Sequence, residues 1–227
     1  MAAAAEYHSA MQREESLVSI ESVAEIQEGR LLRLLAQDPM LQNWILPPDG
    51  TDGSRRLFET QLADLTARDP AVRGDVDLLV VRPGHADEAS AVQFKCVKVD
   101  SDTFQTGLPN RVGEISKLAR QANLLVTVGF HRVSASVLVL VDSRGIPGFN
   151  PWFGSAPISV IQAVDSAVAT AGFHPAVWVE SIEICQPFNE DFRHKGTTSG
   201  RRLRHGSVQL QSADVTTNVR RLVEGAA

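Results

Sequence analysis

Cysteine is scarce in this chain. Only Cys96 and Cys185 occur, both inside apolar, β-like runs, and neither has a second Cys or a His at metal-ligand spacing. That excludes a disulfide framework and reads as two reduced, buried thiols in a cytoplasmic protein. Long apolar runs are missing as well. None approaches the ~18 residues of a membrane-spanning helix. The Ala-rich start, Met1 to Ala10, carries Glu6 and no apolar stretch, so it does not read as a signal peptide. No charge of one sign dominates. A net charge of −5 lacks the global basic footprint of many nucleic-acid binders, yet it leaves room for a protein whose basic residues line one groove only. No Gly-x-Ser-x-Gly elbow, Walker-type phosphate loop or HExxH zinc helix occurs, which narrows the enzyme readings. There are no internal repeats.

What is present suits one globular domain, or one domain with an appended subdomain. The 227 residues are 43% hydrophobic, enough to bury a sizeable core. Residues 1–12 read as a frayed terminus. Leu17, Ile20, Ala24, Leu31 and Leu35 recur at helical spacing, so 13–37 reads as a helix that Asp38-Pro39 ends. Residues 43–53 carry loop chemistry, and 55–65 read as a strand or a mixed segment. Strands are expected at 76–82, 91–99, 136–141 and 176–184, and helices at 112–125 and 157–171. The order helix, strands, helix, strand, helix, strand predicts an α/β fold: a central mixed β-sheet flanked by helices.

Two of these strands carry polar groups that a core strand normally excludes. Gly74-Asp75-Val76-Asp77-Leu78-Leu79 is followed, after a polar link, by Gln93-Phe94-Lys95. Residues two apart on a strand share a face, so Gln93 and Lys95 stand together, as do Asp75 and Asp77. Asp75 directly follows Gly74 and suits a turn. Asp77 lies within the apolar run, where a carboxylate without a partner would cost several kcal/mol. If the two strands pair as a hairpin, an acid, an amide and an amine converge. Such a cluster suits a divalent metal and a water beside a phosphodiester. The bland alternative makes Gln93, Lys95 and Lys98 the solvated positions of an edge strand.

This pairing of motifs resembles the PD-(D/E)xK nuclease superfamily, and its D…QxK form is most similar to the Mrr-like restriction endonucleases. The likeness covers residues 13–145 and implies a restriction-endonuclease-like sheet in a metal-dependent DNA nuclease. Asp77 would be a metal carboxylate, Gln93 a ligand through its neutral carbonyl oxygen, and Lys95 the catalytic amine. A Glu from the first helix would complete the site, with Glu21, Glu25 and Glu28 as candidates and Glu59 as a further one. Glu28 falls on that helix's apolar stripe, where a charge needs a partner. Oxygen ligands imply Mg²⁺ or Mn²⁺. The implied settings are restriction, phage defence or repair.

Residues 13–187 are expected to form the core. Residues 188–227 are expected to form a basic flexible loop and C-terminal tail, in the same domain or as a small appendage, with a short helix near 215–222. Arg193, Lys195, Arg201, Arg202 and Arg204 read either as a solvated loop or as a DNA-contacting arm. Arg111, Lys117 and Arg120 read as a solvated helix face. The alternative to a nuclease is a catalytically decayed module of the same fold that binds nucleic acid or a partner protein. A chain without a separate recognition domain implies targeting through such a partner or a homodimer.

Overall fold

A computed structural model describes residues 27–29, 31–32, 53–66, 73–99, 111–141, 156–185 and 197–225. Six strands form one mixed sheet in the order β1-β2-β3-β4-β5-β6: β1 Arg55–Gln61, β2 Asp75–Val81, β3 Ser90–Val99, β4 Arg132–Val141, β5 Trp178–Cys185 and β6 Thr197–Arg204. β1, β2 and β3 are successive antiparallel neighbours. β3, β4 and β5 run parallel, and β6 returns antiparallel to β5. The general α/β expectation holds, and the expected hairpin of 76–82 with 91–99 is present as β2 and β3. Residues 55–65 are mixed: β1 runs into a single helical turn, Leu62–Leu65.

β4 shows why the sheet is covered on both sides. Its sequence RVSASVLVLV is buried at every position, which requires a layer over each face. Over one face, Ala91, Val97, Val137 and Val139 meet α1 (Ile115–Val128), α2 (Ile158–Thr170) and α3 (Ala213–Glu224) through Leu118, Ala122, Val160, Val215 and Val219. Over the other, Val92, Phe94, Leu138 and Ile182 meet Leu31 and Leu32, which are helical like residues 28–29. α1 is the crossover that lets β3 and β4 run parallel. Its buried Ile115, Leu118, Ala119, Ala122, Leu125 and Val126 follow helical periodicity. Gly129 ends it in a left-handed conformation (φ 92°), and its N–H bonds to the Leu125 and Val126 carbonyls.

The C-terminal part departs from the sequence reading. Residues 197–204, taken as part of a flexible loop, form β6 and complete the sheet edge. Their polar composition is compatible with an edge strand, because one ladder supplies the order that apolar packing supplies elsewhere. The following segment is tied in as well. The Gln211 side chain accepts from the Ala89 N–H at 2.9 Å and donates to the Ala86 carbonyl at 2.7 Å. Ser212 caps α3 by accepting from the Val215 N–H, and Asn218 donates to the Leu65 carbonyl at 3.2 Å. Among the described residues, no helix is long and apolar enough to cross a membrane.

Candidate functional site

The β2–β3 ladder is short, holding only at Leu78↔Val92, Leu79↔Ala91 and Val80↔Ser90. β2 stays paired with β1 down to Gln61↔Asp75, and β3 stays paired with β4 up to Val99↔Val141. The two strands therefore part beyond Leu78 and Val92, like the arms of a fork. Past that point the inner edge of β3 has lost its strand partner, and a buried N–H left unpaired costs about 1–3 kcal/mol. Side chains take over the role of the ladder. Asp77 Oδ2 accepts from the Phe94 N–H at 2.7 Å, and Glu28 Oε1 accepts from the Cys96 N–H. Across the gap, Gln93 Nε2 donates to the Asp75 carbonyl at 2.6 Å.

The fork also joins the two faces of the sheet. Glu28 belongs to the helical layer that packs Leu31 and Leu32 on one face. Lys95 shares its strand face with Ala91, Val97 and Val99, which face the other layer. They meet in the opening, with Lys95 Nζ 3.3 Å from Glu28 Oε2. Lys95 Nζ is equally 3.3 Å from Glu114 Oε2, on the turn that leads into α1. Arg111, at the head of that turn, brings Nη1 to 3.9 Å from Glu28 Oε2.

The electrostatics are those of a crowded, desolvated cluster. Burial pushes the Asp77 carboxyl up to about 7. The Phe94 N–H and the Lys95 ammonium oppose that, while Asp75 and Glu28 add to it. For Lys95, burial disfavours the ammonium, but the Glu28 and Glu114 carboxylates outweigh it and the net shift is upward. Burial pushes the Cys96 thiol up to about 12, so it is an inert neighbour of the site.

The residues present fit a hard divalent cation. Gln93 is 1% exposed, and its Oε1 is buried with no hydrogen-bond partner among the described residues. A buried acceptor left over in this way is what a metal would satisfy. Asp77 and Glu28 each commit one oxygen to a backbone N–H, and the second oxygen of Glu28, Oε2, pairs with Lys95 Nζ at 3.3 Å. The set is thus two carboxylates and one amide oxygen. Among the described residues no three His, Cys, Asp or Glu side chains gather at one point.

Of the helix candidates, Glu28 is the acid at the fork, while Glu21 and Glu25 lie outside the described residues. Glu59 stands on β1 in a left-handed conformation (φ 52°), and its carboxylate lies over Gly29. Lys98 is 6% exposed, so the solvated-face reading does not hold for it. Arg193 and Lys195 lie outside the described residues. The other members of the basic cluster make contacts within the fold. Arg201 grips Asp165 with two bonds of 3.0 Å, Arg202 bonds Glu180 at 2.8 and 3.0 Å, and Arg204 donates to the Phe173 carbonyl at 2.7 Å. Sequence reasoning missed Glu114. Its spacing from Lys95 carries no motif, and only the path of the chain into α1 brings the two together. Comparison of the chain with protein-family models, with curated proteins and with solved structures gives no match.

Proposed function

We propose that this protein is a metal-dependent nuclease that hydrolyses DNA phosphodiester bonds on a restriction-endonuclease-like scaffold. The observation that carries the reading is the meeting of Asp77, Glu28, Gln93 and Lys95 in the β2–β3 fork, with a buried amide oxygen left unpaired among the described residues. The order of strands, helix, strand, helix, strand along the chain also suits the order of elements that the resemblance implies. Asp77, Glu28 and Gln93 would hold Mg²⁺ or Mn²⁺, ions that prefer oxygen donors. When bound, such an ion supplies Lewis-acid polarisation of a phosphate and activation of water. Asp77, whose carboxyl titrates at about 7, would give up its proton on becoming a ligand. Gln93 is held in place by its bond to the Asp75 carbonyl. Lys95 is a fixed ammonium at the mouth of the fork, placed to offset the negative charge that grows on a phosphate under attack. Restriction, phage defence or repair would each use this chemistry.

One observation favours a second reading, a decayed module that binds nucleic acid or a partner protein. The two carboxylates are already satisfied by backbone N–H groups and by Lys95, so the fork is stable as a purely structural joint.

Calorimetric titration with Mn²⁺ and plasmid nicking separate the two. Wild-type protein should bind Mn²⁺, and Asp77→Asn, which keeps an oxygen for the Phe94 N–H, should abolish binding. Lys95→Ala should keep Mn²⁺ binding and lose about 10²-fold or more in nicking, the scale of other positioned charge stabilisers. Arg221→Ala, on the outer face of α3, is the control. Equal Mn²⁺ binding by wild type and Asp77→Asn, or none by either, selects the module.

A further inference from the structure

The ammonium of Lys95 has two carboxylate partners at the same distance, Glu28 Oε2 and Glu114 Oε2, each at 3.3 Å. The two are not equivalent. Glu28 is pinned through its other oxygen, Oε1, to the Cys96 N–H. It cannot turn away, so Oε2 is the oxygen that both the ammonium and a cation in the fork would claim. A dication and an ammonium on one oxygen repel. Glu114 makes no contact with Asp77 or Gln93 and has no such second claimant. It is held from the side by Lys117 Nζ at 3.3 Å.

The backbone that presents Glu114 is specific. Arg111 has a left-handed conformation (φ 71°) that few non-glycine residues adopt, and it starts the tight turn Val112–Glu114. The Glu114 N–H closes that turn onto the Arg111 carbonyl at 2.9 Å. The turn aims Glu114 at Lys95 and Arg111 toward Glu28. Strain kept at the mouth of a polar cluster is a sign of placement.

We propose that Glu114 is a positioning residue, the seat that keeps the Lys95 ammonium at the fork when Glu28 Oε2 is given to a divalent cation. The inference rests on the metal-site reading above. Without Glu114, Lys95 would have Glu28 alone as its partner and would compete with the cation for it.

Mn²⁺ calorimetry on four proteins tests it: wild type, Glu114→Gln, Lys95→Ala and the double variant. Glu114→Gln should weaken Mn²⁺ binding about 5- to 10-fold, and Lys95→Ala should bind as tightly as wild type or tighter. The double variant should match Lys95→Ala, because the penalty of losing Glu114 acts only through Lys95. Glu114→Asp should recover part of the affinity, and unchanged melting of Glu114→Gln should show an intact fold. If Glu114→Gln weakens Mn²⁺ binding by the same factor with and without Lys95, Glu114 is merely a nearby negative charge and the proposal falls. It also falls if Glu114→Gln binds Mn²⁺ like wild type. If wild type itself binds no Mn²⁺, the metal reading fails first and takes this inference with it.

Discussion

At Asp77, burial favours the neutral acid while the Phe94 N–H and Lys95 favour the carboxylate. Burial wins, and the group titrates at about 7 rather than at its ordinary 3.8. The raised value means that the folded protein holds this proton more tightly than the unfolded chain. The associated stability is therefore complete below about pH 4 and is lost as pH rises through 7. One pKa unit corresponds to about 1.4 kcal/mol, so an upper bound for the loss is about 4 kcal/mol. Asp77→Asn removes the titration and keeps an oxygen for the Phe94 N–H. It should leave stability nearly unchanged at pH 4 and raise it by about 2–4 kcal/mol at pH 8. Urea unfolding at the two pH values measures this. Equal effects at both would show that Asp77 is ionised at ordinary cost.

Among the elements, β6 and the segment after it show how a polar stretch is ordered. Beyond Arg204 the chain turns back across the start of β5, where the Ser207 N–H bonds to the Ala176 carbonyl at 3.1 Å. Gly206 is the residue at the crossing. A Cβ there would lie 2.2 Å from the Ala176 oxygen and 2.6 Å from the Trp178 nitrogen. Both are backbone atoms, which cannot swing aside as a flexible side chain can. Gly206→Ala should therefore cost about 1–3 kcal/mol or more. It should loosen β6 before the sheet centre, seen as faster amide exchange at 199–204 than at 133–140. Exchange equal to wild type in β6 would mean that the crossing has more room than the geometry gives it.

At the scale of the whole molecule, the C-terminal segment packs into the main core through α3. Val215 and Val219 of α3 are 1% and 0% exposed within the main core. Each fully buried valine is worth about 1.5–3 kcal/mol. Gln211 and Asn218 add bonds to backbone groups of the β2–β3 turn and of Leu65. Removing everything after His205 discards these together, against a total stability of about 5–15 kcal/mol for a typical domain. The chain ending at His205 should show no cooperative thermal transition by circular dichroism. A sharp transition in that fragment would restore the appendage reading.

The amino-acid sequence alone determined the elements that packing makes obligatory. The run at Leu78–Val81 is apolar on both faces and Ser136–Val141 is a nearly continuous apolar run, and such strands are stable only inside a covered sheet. It also determined that Asp77, Gln93 and Lys95 are out of place in such strands, because burying charge without a partner is costly whatever the fold. β6 was not legible. Its ladder bonds are backbone bonds to β5, and those depend on a neighbour 12 or more residues away rather than on Thr, Ser, Gly and Arg. Which glutamate lies at the fork, and that Glu114 pairs with Lys95 there, is visible only in the tertiary structure. The reason is the fork. Had the β2–β3 ladder continued past Leu78 and Val92, the β3 amides would have met β2 carbonyls, and nothing would have drawn Asp77 and Glu28 to them. Glu28 and Lys95, approaching from opposite faces of the sheet, could then not have met. Where a ladder stops is set by the packing of whole layers, and no window of sequence contains that information.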